Sequence, residues 1–123
     1  MAVFQSRDTR TFEAGGDLSA GQFKFVALAA DGQVDLCGAG AQAIGVLYNE
    51  PDAAGKAATV VMTGKTVVEA GGSVTAGDEI ACDTDGNCVT ATTSDIVMGY
   101  ALEDAVDGQV FAIELIQGGN AAA

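Results

Sequence analysis

Short apolar runs broken by glycine and aspartate recur along the chain, and none is long enough for an independent helix. Phe23-Lys24-Phe25-Val26-Ala27-Leu28 leads into Ala30-Asp31-Gly32, a hairpin signal. Further strands are predicted at Ala43–Tyr48, Ala58–Met62, Thr66–Glu69, Glu79–Cys82, Cys88–Ala91, Ile96–Leu102 and Val110–Ile116. Turn chemistry at intervals of about eight to twelve residues predicts an all-β fold, a compact barrel or sandwich of short strands. Pro51–Gly55 and Glu103–Val106 are expected to be single helical turns at most.

The same phrase occurs twice. Glu13-Ala14-Gly15-Gly16-Asp17-Leu18-Ser19-Ala20-Gly21 returns as Glu69-Ala70-Gly71-Gly72-Ser73-Val74-Thr75-Ala76-Gly77. Asp31-Gly32-Gln33 returns as Asp85-Gly86-Asn87, and Ile44-Gly45-Val46 as Met98-Gly99-Tyr100. Gly55 with Thr59–Met62 is matched by Gly108 with Ala112–Leu115. The matched positions are turn formers and alternating apolar residues, which shape a backbone rather than perform chemistry. Two similar halves, 13–64 and 69–117, are therefore expected to share one core in a domain spanning 13–117. Residues 1–12 precede the repeat and read as an arm or lead-in strand; residues 118–123 read as a flexible tail.

At 123 residues the chain suits one domain. Its apolar content is 49%, with five phenylalanines, two tyrosines and no tryptophan. Small core side chains bury little area each, so stability borrowed from a partner or a second copy fits this composition. Seventeen acids against five bases give a net charge of −12. That balance opposes contact with phosphate backbones and with anionic lipid, so neither nucleic acid nor membrane is an expected partner. Met1–Arg10 has no apolar core of signal-peptide type, and no stretch approaches a membrane span.

Chemistry is sparse. Without histidine the commonest general base is missing, and no Gly-x-Ser-x-Gly elbow occurs, so no catalytic residue is assigned and no enzyme is expected. Cys37, Cys82 and Cys88 contain no CxxC pair and form no zinc set, and they are expected to stay free thiols. A disulfide between Cys82 and Cys88 is conceivable across their tight turn. Asp83-Thr84-Asp85-Gly86-Asn87 is the most calcium-like segment, yet the further ligands of such a loop are absent. It reads as a hairpin turn. Lys65 lies between the halves, a layout similar to lipoyl and biotinyl carrier domains. Gly64 stands where their acidic or methionine neighbour would be, so a solvent-facing turn lysine is expected and no cofactor is assigned.

The chain as a whole resembles the small capsid decoration, or cement, proteins of tailed bacteriophages. The resemblance is carried by Ala14–Gly21, Ala43-Ile44-Gly45-Val46, Glu50-Pro51-Asp52-Ala53, Gly64 with Val67–Ala76, Gly77-Asp78-Glu79-Ile80, Val97–Glu103 and Val110–Leu115. It covers about residues 13–116. It implies a compact β-barrel on the outer surface of the capsid, made in the host cytoplasm and commonly trimeric. The implied partners are the major capsid protein, whose subunit contacts it would stabilise, and further copies of itself.

On that reading the arm is the expected contact, with Phe4 and Phe12 buried on the capsid or a neighbouring protomer. Arg7 and Arg10 would pair with carboxylates there. The alternative is a β-domain that binds host-surface glycans or receptors. It needs an exposed aromatic platform, for which Tyr48 and Tyr100, close to matched positions beside Gly45 and Gly99, are the tyrosine candidates.

Overall fold

The computed structural model describes residues 7–29, 31–117 and 121–122. Nine strands occur in these residues: β1 (Arg7–Ala14), β2 (Phe25–Leu28), β3 (Gln33–Leu36), β4 (Gly45–Leu47), β5 (Ala57–Glu69), β6 (Glu79–Cys82), β7 (Cys88–Thr90), β8 (Gly99–Ala101) and β9 (Val110–Leu115). The fold is all-β. Pro51–Gly55 and Glu103–Val106 form bends and turns instead of the expected helical turns.

The strands are ordered β1-β3-β2-β4-β5-β9-β8-β6-β7, and β1 also pairs with β5. That extra pairing closes β1, β3, β2, β4 and β5 into a ring. The second half repeats the arrangement with β5, β7, β6, β8 and β9, where a bridge between Ala70 and Cys88 replaces the β1–β3 contact. β5 serves both rings, ending the first and opening the second.

The correspondence holds bond by bond. Leu18 N donates to Pro51 O at 2.8 Å, as Val74 N does to Ala105 O at 2.9 Å. Ile44 N donates to Val26 O at 2.9 Å, as Met98 N does to Ile80 O at 2.8 Å. The repeated glycines Gly45 and Gly99 let strands approach closely, because a Cβ at Gly45 would strike the Val61 carbonyl and one at Gly99 the Glu114 carbonyl. One part of the verbal match slips. Phe23 N donates to Leu47 O as Gly77 N does to Ala101 O, so Phe23 and not Gly21 is the counterpart of Gly77. Phe23 accordingly holds a left-handed backbone, φ 66°, where the second half has glycine at φ 90°.

Two clusters fill the interior. Ala14, Leu18, Val26, Val34, Leu47, Ala58 and Val60 form the smaller one, inside the first ring. The larger combines the interior of the second ring (Val68, Ile80, Phe111, Ile113) with Phe25, Val46 and Val61 from the outer face of the first. The second ring is thus packed against the outer face of the first, while the first ring keeps a cluster of its own instead of one core common to both halves.

Two strand expectations need correction. Ala58–Met62 and Thr66–Glu69 are not separate: β5 runs through Gly64, whose φ of 101° keeps pairing on both sides. Residues 121 and 122, placed by the sequence in a tail without contacts, bridge to the 94–96 segment. Ala121 pairs with Ile96, and Ala122 N donates to Asp95 O at 2.8 Å.

Candidate functional site

The four residues expected to make contacts lie in or before β1. Phe4 is outside the described residues. Arg7 pairs with Gly64 through the backbone, and residues 7–13 continue antiparallel along β5, so this part of the arm is a lead-in strand of the body. A register shift between Asp8 and Thr9 marks a bulge in β1. The exposed Arg10 side chain reaches back to Asp8, with Nη2 to Oδ2 at 3.2 Å and Nε to the same oxygen at 3.3 Å. Phe12 is half-buried and packs against the smaller core cluster. The structure brings Arg10 and Phe12 onto one face of β1, two residues apart.

Open clefts flank that strand. One, of about 550 Å³, lies at its start between Asp8, Thr63, Gly64 and Glu114. The other, of about 430 Å³, lies at its far end beside Thr11, Phe12, Asp31 and Gly55. Gln117 borders the first and ties the end of the second ring to the first ring: its Nε2 donates to Ile44 O at 2.6 Å and Met62 O at 2.7 Å.

The other candidates fall into structural places. Lys65 is not on a turn. It sits within β5, exposed, opposite Glu114 of β9, so it lacks the protruding hairpin tip that a carrier lysine uses. Asp83 closes the β6–β7 turn, its Oδ1 accepting from Asp85 N at 2.8 Å and Asn87 N at 2.9 Å. The Asp83–Asn87 turn also docks on the first ring, with Phe25 N donating to Gly86 O at 2.7 Å. No group of three or more metal-binding side chains occurs among the described residues.

Tyr48 stands edge-on to Phe23, ring centroids 6.4 Å apart, whereas Tyr100 lies in the second ring between Glu79 and Glu114. They are not counterparts: Tyr48 corresponds to Leu102 and Tyr100 to Val46.

The cysteines are arranged in a way that sequence spacing concealed. Cys82 and Cys88 are cross-strand partners, as the turn implied, and all three thiols are free and buried. The contact, however, is between Cys82 and Cys37, Sγ to Sγ 3.0 Å. Burial pushes the Cys88 thiol up, reinforced by the charges of Cys82 and Asp83. Separation by 45 residues hid the Cys37–Cys82 pair; the only available signal was that Cys37 closes a strand in the first half.

The profile of a family described as phage cement protein matches residues 4–115. The chain belongs to the phage cement protein family. This cement protein is therefore a structural protein of a phage capsid. Among solved structures it is similar to the N base of head fiber gp8.5 of bacteriophage phi29. The TM-score is 0.73 and the identity 20%, covering 95% of this chain and 100% of that one. That likeness is one of fold. Among curated proteins, none matches the chain.

Proposed function

We propose that this cement protein binds the outer surface of the phage head as a homotrimer and stabilises contacts between major capsid subunits. The family match across residues 4–115 carries the reading. The chain is made in the host cytoplasm and joins the virion there. Many copies on one head make a modest individual contact effective through avidity.

The contact is assigned to the N-terminal strand, with Phe4, Arg7, Arg10 and Phe12. Arg10 supports this because its partner in the free protein is an exposed Asp8, an arrangement that contributes little to stability. Exchanging Asp8 for a carboxylate on the capsid therefore costs little, and a bidentate pair there is stronger. Phe12, anchored in the first ring, fixes where the strand presents Arg10.

Co-sedimentation with undecorated heads, together with a solution mass, tests the proposal. The wild type is expected to pellet with heads, and to have three times the chain mass when free. Deletion of residues 2–6 combined with Arg10→Ala is expected to weaken binding at least tenfold while leaving β5 and the fold in place. Failure of the wild type to bind heads overturns the capsid role. Undiminished binding by the variant overturns the assignment to the strand, and a monomeric mass overturns the trimer.

A further inference from the structure

We propose that Cys37 and Cys82 are a disulfide-forming pair that locks the first ring to the second once the protein leaves a reducing compartment. Their Sγ atoms are 3.0 Å apart, about 1 Å from a bonded separation, and each residue is only 1% exposed. Cys37 follows β3 in the first ring, and Cys82 ends β6 in the second. Both thiols point at the same two carbonyls: Gly38 O, at 2.8 Å from Cys82 and 3.4 Å from Cys37, and Ala41 O, at 3.7 Å from each. The 38–41 loop that supplies those carbonyls is irregular, and Gly38, Ala39 and Ala41 are exposed. Gly40 of the same loop is tied to the second ring, its N–H donating to Cys82 O at 2.9 Å and its O accepting from Ile96 N at 3.0 Å, so baring the sulfurs needs only these two bonds and the short loop to open.

The pair is also chemically unequal. The contact with Cys37 holds the Cys82 thiol below its ordinary value, while the same contact and burial push Cys37 up. Cys82, whose Sγ lies against the Gly38 carbonyl of the exposed loop, is taken as the attacking thiol once deprotonated. With oxidised glutathione as oxidant, Cys82 sulfur bonds to one glutathione sulfur and expels the other as thiolate. Cys37, deprotonated, then attacks the Cys82 sulfur and expels the second glutathione. The products are one protein disulfide and two reduced glutathiones, the two thiol protons ending on them. The bond closes a loop across 45 residues, long enough for substantial stabilisation by restricting the unfolded chain. Oxidation on the released particle rests on the virion role proposed above; the bond itself does not.

Tryptic mapping of purified protein after incubation with oxidised glutathione is the test, and it needs no capsid. Cleavage at Lys24, Lys56 and Lys65 places Cys37 in the 25–56 peptide and both other cysteines in the 66–123 peptide. A reducible cross-link between these peptides is expected, retained in Cys88→Ala and lost in Cys82→Ala, with the melting temperature raised by about 10 °C. Three alkylatable thiols after oxidation, or a bond confined to the 66–123 peptide, overturns the proposal. A result on heads that removes the capsid role leaves this mapping unaffected.

Discussion

Val46 and Tyr100 occupy the same position in two equivalent rings, yet Val46 is 1% exposed and Tyr100 44%. The strand register makes the equivalence complete. Across the first ring one row reads Thr9, Val61, Val46, Phe25; across the second it reads Lys65, Glu114, Tyr100, Glu79. Phe25, Val46 and Val61 are covered by the second ring, whereas among the described residues nothing covers Tyr100 and Glu79. A duplicated unit that stacks on its twin needs an apolar face on one copy and a wettable face on the other, as repeat proteins need polar caps. The halves diverge where the packing is asymmetric.

The asymmetry predicts opposite responses to one substitution. Val46→Gln buries an amide between the rings and overfills the site, so a loss of about 3 kcal/mol or more is expected. Tyr100→Gln on the same row of the second ring is expected to stay within about 1 kcal/mol of wild type. Urea denaturation of both variants checks this, and equal losses would remove the argument that ring-on-ring packing decides the row.

Gly45 and Gly99 are the repeat's least replaceable positions. Alanine at either puts a methyl into a neighbouring strand's carbonyl, and Gly99 adds a backbone at φ 151°. Each substitution is expected to cost about 2–4 kcal/mol, because backbone must move in a paired sheet. Gly72→Ala meets open space and is expected to be neutral or to stabilise by up to about 1 kcal/mol. Thermal melts of the three variants provide the comparison.

Much of the scaffold was legible because turns and alternation are local signals. The paired phrases located β1 with the second part of β5, and β4 with β8. What sequence could not show was non-local. Gly64 reads as a break, but a glycine at positive φ can bend a strand without ending it, so two expected strands were one. Phe23 concealed its kinship with Gly77 because an aromatic in a left-handed conformation defies the usual turn preference. Arg10 and Phe12 stand before the repeated phrase, yet the register gives them counterparts in Thr66 and Val68, and their pairing along β5 depends on a contact some fifty residues distant. Cys37 and Cys82 meet only because one ring packs on the other.

Thr66 is a place where the second ring can be improved. It is 2% exposed, and its Oγ1 has no hydrogen-bond partner. Its counterpart by register is Arg10: Arg10 faces Val60 as Thr66 faces Ile113. Thr66→Val keeps the branched shape suited to a strand and removes a buried hydroxyl without a partner. A gain of about 1 kcal/mol is expected in chemical denaturation, with no change in the oxidation of Cys37 and Cys82. A loss of stability would mean that the hydroxyl is satisfied in solution.

Cys88 sets an alkaline limit on stability. Its thiol is pushed up from an ordinary value of 9.0, first by burial and then by the negative charges of Cys82 and Asp83. A raised folded value means that the native state keeps its proton when the unfolded chain has lost it. The contribution is therefore fully present below about pH 9 and is lost as pH climbs toward the folded value. The slope from this one group is up to about 1.4 kcal/mol per pH unit. Denaturation midpoints measured from pH 8 to 11 are expected to fall more steeply for wild type than for Cys88→Ala, which has nothing to ionise there. Comparison of slopes separates the titration from the packing lost with the sulfur, because a cavity lowers the whole curve without tilting it. Parallel curves would show that Cys88 ionises as readily in the folded protein as in the unfolded chain, and would leave any alkaline loss to the raised Cys37 thiol and to self-repulsion in a chain of net charge −12.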